Sequence, residues 1–570
     1  MRKFCALFLV LALAGAAWGG EPCDVYAARG MVSSAHELAS KAGVEILQKG
    51  GNAVDAAIAT WLALNVVEFN ASGIGGGGFM VIRNARTGDV VELDYREVAP
   101  ASATKDMYAS EASKKARESI DGGKSIGVPG AVAGMFAALE KYGTMSFAQV
   151  AAPAIRLADE GFVLAPMQNQ IITDEFERLL KYSPNCAFLV DGLPAEAGTL
   201  LKQPELAATF RMLAKEGPSA FYNGAIGHAI VSAVAGSGGC MTIDDLKNYK
   251  VETRTPVKGT YRGYTIYSTP PASSGGTHIV QLLNIMENYP VAEMGHNTPR
   301  FLHVLAEAMK RIYADRQKYM ADTAFAKNVP LMGLTSKAYA KNLADGITLN
   351  RAAQEVKPGD PAAFERGGKK TAYKAGGGSE RISTSSFSVV DAEGNIVAST
   401  NTVNYFMGSA VIVPGYGFVL NDEMDDFAQD PKSVNAPEPA KRPLSSMSPT
   451  IVIDPEGRPF MTLGAAGAMR IITAVSQIIM NVVDFGMTMD QAIEQPRIFN
   501  VASNGKAGKL LFEQGIAPDT VKALQGLGHE VEEREFSGYF GTAQGILFDH
   551  KNACMDGGAD SRRLGVPVGF

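Results

Sequence analysis

The chain predicts an α+β architecture of stacked β-sheets sandwiched by helices, on three observations. Hairpin patterns recur both before residue 100 and after residue 384, helices with apolar faces accompany them, and a Gly- and Lys-rich stretch near 357–382 separates the two regions. With 570 residues, 46% of them hydrophobic and 20% charged, the chain is long enough to bury a large core. The net charge is −6, acids and bases are mixed, and there is no basic stripe, which argues against a nucleic-acid partner.

Taken in order, Arg2 and Lys3 precede an apolar run over 4–17, followed by Gly19 and Gly20. A charged start, a short apolar core and small residues make a secretory signal over about 1–20. The run is too short to span a bilayer comfortably, and no later segment is apolar for about 20 residues. The expectation is export to the periplasm or beyond, with no membrane contact after signal removal. Cleavage leaves Cys23, Cys186, Cys240 and Cys554, widely spaced and without a C-x-x-C pair. One or two disulfides and free thiols are both compatible with that spacing.

Ser34 and Glu37 have capping-box spacing and predict a helix that ends near Gly50 and Gly51. Asn52 can cap a second helix over 53–67, apolar on nearly every face and therefore buried. Strands are expected at 79–83 and 90–94 around a turn at 84–88. From about 130 to 350, helical patterns alternate with Gly and Pro breaks. The stretch 357–382, with Gly376, Gly377 and Gly378, reads as an exposed flexible linker. Strands follow at 385–390 and 396–403, a hairpin at 450–453 and 460–463, and an apolar-faced helix at 471–483.

Two motif matches fail on context. Gly73, Gly75 and Gly78 satisfy G-x-G-x-x-G, but here the pattern follows a helix and enters a strand, the reverse of a nucleotide site. A close backbone approach or tight turn is the better reading. Gly123, Ser125 and Gly127 satisfy G-x-S-x-G, yet lack the preceding buried strand and following helix of a nucleophile elbow. The seven histidines have no metal-ligand spacing. Hydrolysis therefore needs a base other than histidine.

One junction can supply it. Ser383 and Thr384 stand where the linker becomes a strand. If the peptide before Thr384 breaks, its hydroxyl and a new α-amine share one residue. An α-amine has a pKa of about 7.7–8.0, so it can serve as base near neutral pH.

Around that junction the sequence resembles the γ-glutamyltransferase (γ-glutamyltranspeptidase) family over most of the mature chain. The resemblance rests on ordered blocks at 73–80, 94–100, 127–130, 384–391, 400–404, 421–427 and 442–449. It implies self-cleavage between Ser383 and Thr384, giving chains 21–383 and 384–570 that stay associated. It also implies a four-layer αββα sandwich of the N-terminal-nucleophile hydrolase type, built jointly by both chains, with no cofactor and no metal. Thr384 matches the nucleophile, and Thr402 the hydroxyl that supports it. Arg96, Ser445 and Ser446 match positions that bind an α-carboxylate, while Asn404, Glu423 and Asp426 match acceptors for the α-ammonium. Gly467 matches the first oxyanion-hole residue, and Ala468 replaces the second, usually glycine. Alanine keeps the N–H donor unless the position demands a positive φ.

The implied substrates are glutathione and other γ-glutamyl compounds, with water or amino acid and peptide amines as acceptors. A glutaryl (cephalosporin) acylase of the same fold is the rival enzyme, and it would not need Glu423 and Asp426. A non-catalytic periplasmic amino-acid-binding protein is the rival of another class, and it would not need the Thr384 junction. The segment 428–441 is short, contains three prolines and lacks an aromatic residue. It is too short for the aromatic-bearing lid of many family members, so an open site that admits bulky donors is expected.

Overall fold

A computed structural model of the chain describes residues 24–365 and 383–570. The signal-like segment, Cys23 and the glycine-rich part of the expected linker lie outside the described residues. Near the start the chain forms β1 (Val25–Ala27), β2 (Met31–Ser34), β3 (Gly77–Arg83) and β4 (Val90–Asp94). It then adds β5 (Glu252–Arg254), β6 (Val257–Tyr261) and β7 (Tyr264–Ser268). After Thr384 come β8 (Ser385–Val390), β9 (Ile396–Thr402), β10 (Thr450–Ile453), β11 (Pro459–Ala466), β12 (Thr542–Asp549), β13 (Cys554–Ala559) and β14 (Val566–Gly569).

One seven-stranded sheet runs β14-β2-β8-β9-β3-β4-β5 and the other β1-β13-β12-β11-β10-β7-β6. Neighbouring strands in both are antiparallel. Each sheet thus interleaves strands from both sides of Ser383.

Alternation of side chains along each strand builds the layers. Phe387 and Val389 of β8 join a core with α1 (Glu37–Gln48), α2 (Ala53–Val67) and the helix Phe147–Glu160. The intervening positions face the other sheet, where Val390 packs with Ala398, Val81, Ile451, Ile546 and Met555. The far face of the second sheet, including Ile266, Val452 and Leu463, is covered by α3 (Gly275–Met286), α4 (Pro299–Tyr319) and α5 (Arg470–Val483). The order is helix, sheet, sheet, helix, as expected.

Toward Thr384 the inter-sheet layer becomes small and polar. Ser388 donates to the Gln544 carbonyl at 3.2 Å. Gly464 lies against Ser386, whose Oγ would be 2.3 Å from a Cβ placed there.

Several local expectations hold. Asn52 and Asp55 form a reciprocal capping box, and all fifteen residues of α2 are buried. The 123–127 motif gives a short 3-10 helix, Gly123–Ser125, with the buried Ser125 hydroxyl bound to the Gly122 carbonyl. Other expectations are corrected. Ser34 does not cap α1, because it is drawn into β2 and pairs with Phe387 and Val566. His36 caps instead, its Nδ1 accepting the Leu38 N–H at 3.2 Å. Residues 357–365 are not a loose linker, since the Gly359 N–H bonds Asp315 and Pro361 and Ala362 are buried. Cys186, Cys240 and Cys554 are free thiols.

The glycine run at 73–78 is a contact between backbones. A Cβ at Gly75 would lie 2.1 Å from the Val419 carbonyl, and one at Gly76 would lie 1.9 Å from the Thr402 carbonyl. We expect Gly76→Ala to displace the end of β9 and cost about 1–3 kcal/mol or more, as overpacking does. Gly88→Ala, at a φ of +75° with open space around it, should cost only about 1 kcal/mol of backbone strain. Urea unfolding of the two variants measures the difference.

Candidate active site

The register of the β8–β9 hairpin pairs Ser385 with Asn401, so Thr384 and Thr402 lie opposite each other at its open end. Their hydroxyls are 3.1 Å apart. The Thr402 oxygen also accepts the Asn404 N–H at 2.8 Å. With one lone pair so occupied, Thr402 can turn its own proton toward Thr384. Thr384 has a φ of +85°, a region that a β-branched residue rarely enters. Its carbonyl is held at 2.7 Å by Nη1 of Arg563.

Across the pocket, Arg96 follows β4 and is fully buried. Its Nη1 is 2.5 Å from Glu423 and its Nη2 2.5 Å from Asp426. Burial works against the Arg96 charge, but Glu423, Asp426 and Glu97 outweigh it and hold the guanidinium above its ordinary pKa. Glu423 is close enough to Arg96 for an ion pair, yet neither of its buried oxygens accepts an aligned hydrogen bond among the described residues. Burial therefore pushes the Glu423 carboxyl well above its ordinary range, with Arg96 pulling the other way. Asn404, at a φ of +76°, donates its Nδ2 to the Asp422 carbonyl, which leaves its Oδ1 for another donor.

Ser445 and Ser446 close a third side. The Ser445 N–H bonds the Ala272 carbonyl, and Ser446 Oγ accepts from Arg316 at 2.9 Å. Arg316 also donates to Ser274, which in turn bonds the Ser445 carbonyl. Gly467 and Ala468 form the turn between β11 and α5, with φ values of +133° and +54°. Their carbonyls accept the N–H groups of Arg470 and Ile471, and a 14-residue helix starts at once. The positive end of its dipole is thus beside the site.

The structure gathers Arg96, Thr384, Thr402, Asn404, Glu423, Asp426, Ser445, Ser446 and Ala468 around one pocket. Gly467 is the next residue in the turn, and Ser383 directly precedes Thr384. The sequence reading missed Arg316, buried in α4 and bound by Ser274, Ser446 and Met469 with no carboxylate paired to it among the described residues. It also missed Met469, which lines the pocket, and the Arg563 contact. No local pattern marks these residues, because their partners are remote in sequence.

Elsewhere, His303, Glu307 and His529 come together in the core, although no sequence spacing announced them. His303 donates Nε2 to the Thr348 carbonyl, so its Nδ1 is the acceptor for His529 at 2.8 Å. Glu307 is bound by Lys310 and Arg311. The ligand atoms are therefore satisfied internally, beside two cations that disfavour a metal ion.

Two stacked sheets enclosed by helices, with a threonine at the head of an inner strand, make the fold of the N-terminal-nucleophile hydrolases. The family described as gamma-glutamyltranspeptidase matches residues 39–570. The glutathione hydrolase proenzyme of Escherichia coli (strain K12) is 40% identical over 533 residues, 90% of this chain and 88% of that protein. The cephalosporin acylase structure from Bacillus halodurans has a TM-score of 0.85 at 27% identity and covers 99% of both chains. A solved chain of Helicobacter pylori gamma-glutamyltranspeptidase is 43% identical, with a TM-score of 0.55, over 57% of this chain and 94% of that one. The chain belongs to the γ-glutamyltranspeptidase family and is an enzyme of that family.

Ala468 occupies the left-handed region that the sequence reading named as its risk, and it does so with the turn formed, so the cost is backbone strain and not loss of the N–H. That conformation costs an alanine about 1–2 kcal/mol, whereas glycine adds about 0.4–1 kcal/mol of unfolded-state entropy. Ala468→Gly is expected to unfold in urea within about 1 kcal/mol of the natural protein. Ala468→Val, β-branched at the same φ, should lose on the order of 2 kcal/mol.

Proposed function

We propose that the protein is made as an exported precursor, cuts itself between Ser383 and Thr384, and then transfers γ-glutamyl groups from glutathione and related donors. In the cut, Thr384 Oγ1 attacks the Ser383 carbonyl carbon and the C–N bond breaks as the nitrogen takes the hydroxyl proton. Water then hydrolyses the ester, which leaves a carboxylate on Ser383 and a free amine on Thr384. The products are chains 21–383 and 384–570, with 1–20 removed as a signal and the mature enzyme periplasmic or extracellular. The word proenzyme in the name of the Escherichia coli relative supports a precursor.

In turnover the Thr384 amine takes the Oγ1 proton as the oxygen attacks the donor's γ-carbonyl. Thr402 and the N–H groups of Gly467 and Ala468 stabilise the developing negative charges. The leaving amine receives the proton, and a γ-glutamyl-threonyl ester remains. Water or an amino acid or peptide amine then attacks that ester. The short 428–441 segment folds on itself, with Ala428 bonded to Asn435 and Lys441 bonded to the Val434 and Ala436 carbonyls. A loop so tied supports the reading of an open site that admits bulky γ-glutamyl donors.

The observation that carries the substrate assignment is the pairing of Arg96 with Glu423 and Asp426 in the pocket that holds Thr384. A glutamyl headgroup is a zwitterion and can insert between them. Its carboxylate goes to Arg96, Ser445 and Ser446. Its ammonium goes to Asn404, Asp426 and the unsatisfied oxygens of Glu423. A glutaryl group offers no ammonium and would leave Glu423 buried without a donor, which favours the glutamyl reading over an acylase.

Thr384→Ala should give a folded, uncut and inactive chain, read on a denaturing gel and by intact mass. A variant that still splits at this junction would sink the assignment. Asp426→Ala should lower kcat/KM for γ-glutamyl donors by roughly ten- to a hundredfold, the worth of a charge-assisted contact. Glutaryl donors should be much less affected, and equal losses for both donor types would refute the proposed role.

A further inference from the structure

Thr384 is gripped from behind as well as from the substrate side. Glu68, the last residue of the first buried helical hairpin, caps the C-terminus of α2 and is itself buried. One of its oxygens accepts the Ser385 hydroxyl, and the other is 3.3 Å from Arg563 Nη1. That same nitrogen donates to the Thr384 carbonyl at 2.7 Å, and the guanidinium lies over the Phe406 ring. Glu68, Arg563, His36 and Phe406 line a cleft separate from the pocket of Arg96.

We propose that the Glu68–Arg563 pair sets the basicity of the α-amino group that cleavage creates on Thr384. The proposal rests on the self-cleavage reading above. The nitrogen and carbonyl oxygen of one residue are at most about 3.6 Å apart whatever its ψ. A guanidinium bonded to that oxygen therefore sits no more than about 6 Å from the amine, in a site sheltered from water. A positive charge at that distance disfavours the ammonium form and keeps the amine available as base at neutral pH. The negative charge of Glu68 opposes it, so the two residues adjust the base in opposite directions.

Other charged groups also stand near Thr384. On the substrate side stand Arg96 with its partners Glu423 and Asp426, and the buried Arg316. Behind it stands His36, whose burial lowers it to about 4 and leaves it neutral. Burial pushes the Glu68 carboxyl up, while Arg563 and Ser385 pull it back. Of these groups Arg563 is the one bonded directly to Thr384, so its charge has the shortest path to the amine. Glu68 and Arg563 are positioning residues, because neither lines the pocket that takes the substrate.

The test is the acid limb of kcat/KM against pH with a γ-glutamyl anilide, after intact mass has shown which proteins are cut. The natural enzyme should have its limb below the ordinary α-amino range of about 7.7–8.0. Arg563→Gln should raise the limb by at least about half a pH unit, and Glu68→Gln should lower it by a similar amount. Arg563→Lys, which keeps the charge, should stay near the natural value. A merely structural role would change rates without moving the limb in opposite directions. A cut enzyme whose limb ignores both residues overturns this proposal alone. A variant left uncut assigns the pair to the cleavage step and overturns it too. An uncut natural protein sinks the self-cleavage reading along with it, and the mass reports that before any rate is measured.

Discussion

The antiparallel ladder between β8 and β9 pairs Ser385 with Asn401 and carries Thr384 to a place opposite Thr402. Because side chains alternate along a strand, a slip of one residue would send Phe387 and Val389 between the sheets and Ser386 and Ser388 into the helices. The apolar cost of that exchange pins the register, and the register places the two hydroxyls 3.1 Å apart. The glycines at 75 and 76 let neighbouring backbone close against the end of the same ladder. The spacing of these two hydroxyls is thus inherited from core packing.

The pocket itself is organised by charge taken out of water. Arg96, Glu423 and Arg316 are all buried, and among the described residues Glu423 has no aligned donor. Arg316 is satisfied by hydroxyls and has no paired carboxylate among the described residues. Such an arrangement is poor for stability alone, since unpaired buried charge is costly. It fits a ligand that brings one charge of each sign, as the proposed γ-glutamyl headgroup does.

Much of this was legible in the chain, for identifiable reasons. The Asn52 cap and the β8–β9 hairpin are local features within about twenty residues, where capping and alternation rules apply. The serine at 34 misled because a local capping pattern competes with strand pairing, and only the remote β8 and β14 decide the outcome. Arg96 and Asp426 are 330 residues apart in sequence, and were legible only through the ordered motif blocks of a family resemblance. Arg316 and Ser446 are 130 apart, and an arginine between Asp315 and Gln317 on a helix looks like a surface residue. The short edge strands β1, β5 and β14 have too few residues to alternate visibly.

The interleaving of the two sheets has a consequence for how the molecule ages. In one sheet β2 lies between β14 and β8, and in the other β1 and β7 flank a block of strands from beyond Ser383. The proposed break at Ser383 would therefore leave two pieces that cannot part without tearing both sheets. Before the break, folding is a search by one chain. Afterwards, refolding becomes a meeting of two molecules and depends on their concentration. A protein so cut would persist only as long as unfolding is slow, since once unfolded it would have lost the tether that first brought its halves into register.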